Sequence, residues 1–196
     1  VIKIDFDTIS HVRLGDIADV FKGQQILESD TGTEARLISY NDLFTTFIGG
    51  KIDTPVKTYN FSKKRKDCMV KATDIVFPVF PNRYCTLIVK SNPFIKPYFL
   101  NDVYDSSNII VRVNRDIVYE DYVYQVLTST KMFEKIHRLS KNKKQKRLTV
   151  ADISNITIPL ISLEEQRIIM NSFRRMKDAS DYYYELIDTL FKQEGD

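Results

Sequence analysis

The chain has 196 residues, of which 43% are hydrophobic and 28% charged, and it carries a formal net charge of +3. That balance belongs to an ordinary soluble globular chain long enough for one body with a real core, and no apolar run approaches a membrane span. Two cysteines, Cys68 and Cys85, suggest neither a disulfide framework nor a zinc site, and the absence of a signal-peptide layout points to the cytoplasm.

The charge is unevenly placed. Residues 163–196 hold five basic side chains against eight acidic ones, a net −3, which leaves +6 on residues 1–162. A basic body with an acidic tail suits a polyanion-binding unit joined to an element with another task.

In chain order, Val1-Ile2-Lys3-Ile4-Asp5-Phe6 alternates like a strand. Leu14–Phe21 is a short apolar segment closed by Gly23, and Arg36–Tyr40 reads as a short strand before the turn formers Asn41 and Asp42. Gly49-Gly50 is a further break. Three apolar strand candidates come next at Ile75–Phe80, Tyr84–Val89 and Asn108–Val113, with Pro78 arguing for an edge or a bulge in the first. From Val118 to Leu139 the period becomes helical through Tyr119, Tyr122, Val126, Phe133 and Ile136, over two helices broken near Thr128-Ser129-Thr130. Thr149 has the character of an N-cap, with Asp152 three residues on, and Ile156–Leu160 is a last strand.

Ser162-Leu163-Glu164-Glu165 is the clearest boundary. Ser162 and Glu165 form a capping box, and the two glutamates suit the positive end of a helix dipole. Neither proline nor glycine occurs again before Gly195, so the spacing predicts a helix of about 32 residues and roughly 48 Å. Ile169, Phe173, Met176, Ser180, Tyr183, Ile187 and Leu190 step alternately by four and three, the pattern of a coiled-coil seam. A helix of that length cannot bury its seam on a body of this size along its whole course, so part of it must project and pair. The chain therefore divides into a body, residues 1–161, and a helix, 162–196. The fold class is α+β: a mixed globular unit followed by a long coiled-coil-like helix.

No catalytic constellation can be assembled. Gly49-Gly50-Lys51 lacks the first glycine and the hydroxyl of a phosphate loop. Ser91-Asn92-Pro93-Phe94 lacks the second proline of an amino-methyltransferase site and has no Gly-rich cofactor loop with it. His11 and His137 lie in no metal-binding spacing. The expectation is a chain without catalytic residues, metal or cofactor of its own.

Two basic clusters stand out instead. Lys63, Lys64, Arg65 and Lys66 form one; Arg138, Lys141, Lys143, Lys144, Lys146 and Arg147 form the other. Such clusters neutralise phosphates and release condensed counterions, which positions a protein without reading sequence. Reading needs forked or amide groups on base edges. Asn142, Gln145 and Arg147 offer these in the second cluster, and Asn82 and Arg83 offer them between two of the strands.

These segments, in this order, resemble the specificity subunit of type I restriction–modification enzymes. The resemblance rests on Val12–Gly23, Ala72–Phe77 and Ser107–Arg112, and most strongly on Leu148–Ile168, with its Ile-Pro-Leu and Leu-Glu-Glu-Gln-Arg-Ile runs. It implies a target-recognition domain for double-stranded DNA followed by a spacer helix. In that family two domain–helix units pair their helices antiparallel, each domain reads half of an interrupted site, and the helices dock methyltransferase subunits. S-adenosylmethionine, and Mg/ATP with a restriction subunit where one exists, belong to those partners. Only one unit is present here, which implies either a fragment or a half-length subunit that forms a homodimer through its helix. The base-reading residues differ between members, so none is carried over by position. Two other readings are a recognition domain of a fused restriction–methylation enzyme and a protein-interaction adaptor whose basic patches are incidental.

Overall fold

The computed structural model describes residues 9–48, 50, 54–60, 68–81, 86–88, 102–141 and 147–193. The first motif is not one segment but three. Leu14–Ile17 forms a single helical turn, α1, between strands β1 (Ser10–Arg13) and β2 (Ala18–Lys22). Leu14 and Ile17 are buried. Gly15 lies close against the later helix α5 (Val150–Ser154); a Cβ there would stand 3.1 Å from that of Ser154.

Three apolar runs build the centre. Strands β6 (Ile75–Pro78), β7 (Leu87–Ile88) and β9 (Asn108–Val113) join β2 in a four-stranded sheet of order β2-β9-β6-β7, every pair antiparallel. Alternation sends Ile75, Phe77, Ile109, Val111 and Val113 to one face and Val76 and Ile110 to the other. Both faces are covered, which is why these strands read as continuous apolar runs rather than alternating ones. Pro78 corrects the expectation of an edge. Strand β6 lies between two neighbours, and the proline is tolerated as its last residue, beyond the pairs that β6 makes with β7.

The second face is closed by elements less visible in the sequence. The expected strand at Arg36–Tyr40 is only β4 (Leu37–Ile38), paired in parallel with β8 (Val103–Tyr104). The expected turn at Asn41-Asp42 is instead the first turn of helix α2 (Tyr40–Phe47). Ser39 and Asp42 form a reciprocal capping box, with Asp42 accepting from the Ser39 N–H at 2.8 Å and Ser39 Oγ accepting from the Asp42 N–H at 3.1 Å. Both residue types favour turns, and the same local hydrogen bonding starts helices. A polar ribbon, β3 (Glu28–Ala35) with β5 (Lys57–Tyr59), lies where the sequence predicts no strand. Its register shifts between Glu28 and Thr33, a stretch that contains Gly32, whose φ is +146° and where a Cβ would meet the Tyr59 carbonyl at 2.2 Å.

Helices α3 (Glu120–Thr128) and α4 (Thr130–Lys141) break at Ser129, as the sequence predicts, and pack Val123, Leu127 and Ile136 on the first face. Thr149 caps α5 through a box with Asp152, and β10 (Thr157–Leu160) pairs antiparallel with β1. The Ser162–Glu165 box then opens α6 (Leu163–Gln193), 31 residues and so about 46 Å. The expected strand at 1–6 and the stop at Gly195 lie outside the described residues.

Buried polar groups tie the parts together. Arg112 on β9 grips the fully buried Asp74 with Nε at 2.8 Å and a terminal nitrogen at 2.9 Å. Tyr104 donates to the same carboxylate at 3.0 Å. Burial, and the negative charge of Asp74 beside it, push the Tyr104 hydroxyl well above its usual titration range. Gln166, fully buried on α6, accepts from the Tyr119 N–H at 2.9 Å and donates to the Ile161 carbonyl at 2.8 Å. Burying such groups is costly unless each finds partners. These partners come from different elements, so the polar contacts set how the elements meet.

Candidate nucleic-acid interface

The register of the central sheet gives it two distinct ends. Lys22 pairs with Ile109 and Pro78 with Asn108, so the C-terminal ends of β2 and β6 and the start of β9 lie together. Backbone hydrogen bonds carry this end sideways as a rim. Gln24 N–H donates to the Tyr104 carbonyl, and Gln24 bridges Asp105. Val79 N–H donates to the Ser107 carbonyl at 2.8 Å, and Leu148 N–H donates to the Val79 carbonyl at 2.7 Å. The rim thus runs from Gln24 through the turn before β9 to Phe80, and from there to Arg147. Gly23 permits the closeness on one side: a Cβ there would fall 1.9 Å from the Asp105 carbonyl oxygen.

This joins two segments that the sequence keeps far apart. Asn82 and Arg83 come directly after Phe80-Pro81, and Arg147 closes the long basic cluster. The Val79–Leu148 hydrogen bond brings the flanks of both to one place. Arg147 and Lys141 are exposed. Lys141 ends α4, where cations are favoured by the helix dipole, and Arg138 one turn earlier pairs with Glu134 at 3.3 Å. Asn82, Arg83, the cluster Lys63, Lys64, Arg65 and Lys66, and the residues Asn142, Lys143, Lys144, Gln145 and Lys146 lie outside the described residues.

The rim also holds candidates that sequence reasoning passed over. Gln25 is exposed and Gln24 half-buried. Their signal was a pair of amides directly after the Gly23 stop. Asp105 is the rim's acid, and its charge is turned inward. Its carboxylate accepts from the Ser107 N–H at 2.8 Å and from Asn108 Nδ2 at 3.0 Å, while burial raises its pKa above the usual carboxylate value.

At the other end of the sheet sits the root of the long helix. Strand β9 leaves through Asn114, whose N–H bonds the Ile17 carbonyl, toward Tyr119 and the buried Gln166. Five residue steps of strand, about 17 Å, separate the two ends. Met170 is buried, while Ile169 is half-buried. Ile169 and Phe173 line an apolar groove of about 440 Å³ with Tyr122, Val126, Met132 and Pro159. From Asn171 to Tyr182 every side chain is exposed, including Phe173, Met176 and Ser180. Tyr183, Ile187 and Leu190 continue the helix, and their side chains lie outside the described residues.

Among the described residues, no group of three or more His, Cys, Asp or Glu is arranged to hold a metal ion. No helix among them is long and apolar enough to cross a membrane.

An α+β body with exposed amide and guanidinium groups along one sheet end, and a long helix rooted at the other, is a build suited to reading a duplex. Residues 7–181 match the family model described as the type I restriction modification DNA specificity domain, and the chain belongs to that family. Members recognise DNA sequence within a restriction–modification system. No curated protein sequence matches the chain. Among solved structures, the chain is similar to the HsdS subunit from Thermoanaerobacter tengcongensis, with a TM-score of 0.64 and 16% identity over 91% of this chain and 44% of that one. It is also similar to a chain from a structural study of the assembly and conformational transition of the type I R-M system, with a TM-score of 0.63 and 16% identity over 89% of this chain and 44% of that one. The S subunit from M. genitalium gives a TM-score of 0.51 and 15% identity over 93% of this chain and 42% of that one. At these identities the likeness is one of fold, and the chain spans less than half the length of each.

Proposed function

We propose that the chain is the sequence-reading unit that directs methyltransferase subunits, and a restriction subunit where one exists, to one half of a divided site on double-stranded DNA. The observation that carries this reading is the match to the specificity family over residues 7–181. The two-ended sheet supports it, because a reading surface at one end leaves the helix free to hold partners at the other. In this reading the rim between Gln24 and Arg147 meets base edges, and the lysines of the 141–147 segment and of Lys63–Lys66 meet phosphates. The chain itself carries out no chemistry; S-adenosylmethionine and Mg/ATP belong to the partner subunits, and the work is done in the cytoplasm. The exposed apolar stripe of α6 pairs antiparallel with an equivalent helix, either from a second copy or from a second unit of the same protein.

The test is binding-site selection from random duplexes, performed with the chain alone and with a methyltransferase subunit added. A recovered consensus is the expected result. Absence of salt-dependent binding to duplex DNA would point to the adaptor reading, and methyl transfer by the purified chain alone would make it an enzyme.

A further inference from the structure

Phe80 stands out on the rim because it is 63% exposed. Lone exposed apolar side chains are ordinary on protein surfaces, so exposure by itself decides nothing. The mounting of this one does. Val79 beside it is buried, and its peptide groups are held on both sides, by the Ser107 carbonyl at 2.8 Å and the Leu148 N–H at 2.7 Å. Pro81 is next in the chain, and the residue before a proline is confined to extended backbone. The phenyl ring is therefore presented on a backbone with little freedom left to lose on contact, which is how preorganised anchors gain affinity. Its neighbours along the rim are Ser107 and Arg147, and Asn82 and Arg83 come next in the chain.

We infer that Phe80 is a specificity-determining residue that packs on the C5-methyl group of a thymine in the major groove. The inference rests on the DNA-reading function proposed above. A phenyl ring cannot hold a phosphate, which takes charge or hydrogen-bond donors. In the major groove the apolar feature that separates thymine from the other bases is its methyl group, and apolar side chains are what meet it. The Arg147 guanidinium, next along the rim through the Leu148–Val79 hydrogen bond, has the repertoire that reads a neighbouring base edge.

The experiment takes the duplex recovered by selection and replaces each thymine in turn by uracil, which keeps the pairing edge and lacks the methyl. At one position uracil weakens binding by the wild-type chain about fourfold, the worth of one buried methyl group. Phe80→Ala binds the thymine and uracil duplexes equally, and Phe80→Leu keeps part of the preference. Affinity of Phe80→Ala for unrelated duplexes stays at the wild-type value, which shows that the variant is folded. Tolerance of uracil at every position overturns the inference, as does a uracil penalty that survives in Phe80→Ala. So does wild-type-like selection accompanied by a Phe80-dependent rise in 2-aminopurine fluorescence without uracil sensitivity, the mark of a wedge between bases. If selection recovers no consensus, the DNA-reading function itself fails, and the thymine contact falls with it.

Discussion

At the scale of residues, the side chains that carry the family resemblance do structural work. Asp74 and Arg112 form a buried fork, Asn108 Nδ2 donates to the Ile38 carbonyl at 2.8 Å, and Gln166 locks the helix to the body. Gln166→Leu would leave the Tyr119 N–H and the Ile161 carbonyl without their partner. It is expected to cost about 2–4 kcal/mol, measurable as a lower urea midpoint, and an unchanged midpoint would show that water replaces the amide at no cost. Asp105 makes a prediction about pH. Burial raises its pKa in the folded state from 3.8, so the folded chain keeps the proton where the unfolded chain has lost it. Stability on this account falls as pH rises from about the unfolded value through the folded one. Asp105→Asn removes the titration, so the wild type should lose ground relative to the variant across that window in denaturation series from about pH 3 to 7. A constant difference at every pH would mean that Asp105 has no shifted titration.

At the scale of elements, the capping boxes of α2, α5 and α6 show one local rule used three times. Two of them were readable because an apolar or helical pattern comes after the cap. The third was hidden because Asn41-Asp42 also spells a turn. The basic segment after α4 makes the element-scale prediction. Replacing Lys143, Lys144 and Lys146 together by Ala should weaken binding to all duplexes about equally and flatten the salt dependence by roughly three counterions. Arg147→Ala should instead relax preference at one base position, by about 1–3 kcal/mol if its contact is bidentate. An unaltered salt slope in the triple variant would move the phosphate contacts elsewhere, with Lys63–Lys66 next to be tested.

At the scale of the whole molecule, the question is what covers α6. Phe173 is 42% exposed and Met176 60%. They continue a stripe that begins in the apolar groove at the foot of the helix, where Ile169 already rests on the chain's own body. A repeat of alternate fours and threes favours a second helix over solvent. Sedimentation at concentrations on the order of tens of micromolar should find a dimer. Asp at both Phe173 and Ile187 would place uncompensated charge in the seam and should give monomers with the body still folded. A monomeric wild-type chain would assign the second helix to another part of a longer protein.

The apolar runs of β6 and β9, the break between α3 and α4, the caps of α5 and α6 and the length of α6 were all determined by the sequence alone, because each depends on spacing or on hydrogen bonds within a few residues. The polar ribbon of β3 and β5 and the parallel pairing of β4 with β8 were not, since both rest on partners distant in the chain. The candidate site divides in the same way. Basic clusters and base-reading side chains are visible as composition. Only the tertiary structure could bring Gln24, Phe80 and Arg147 to one rim, because that depends on an antiparallel register and on a single backbone hydrogen bond from Leu148 to Val79 across the chain.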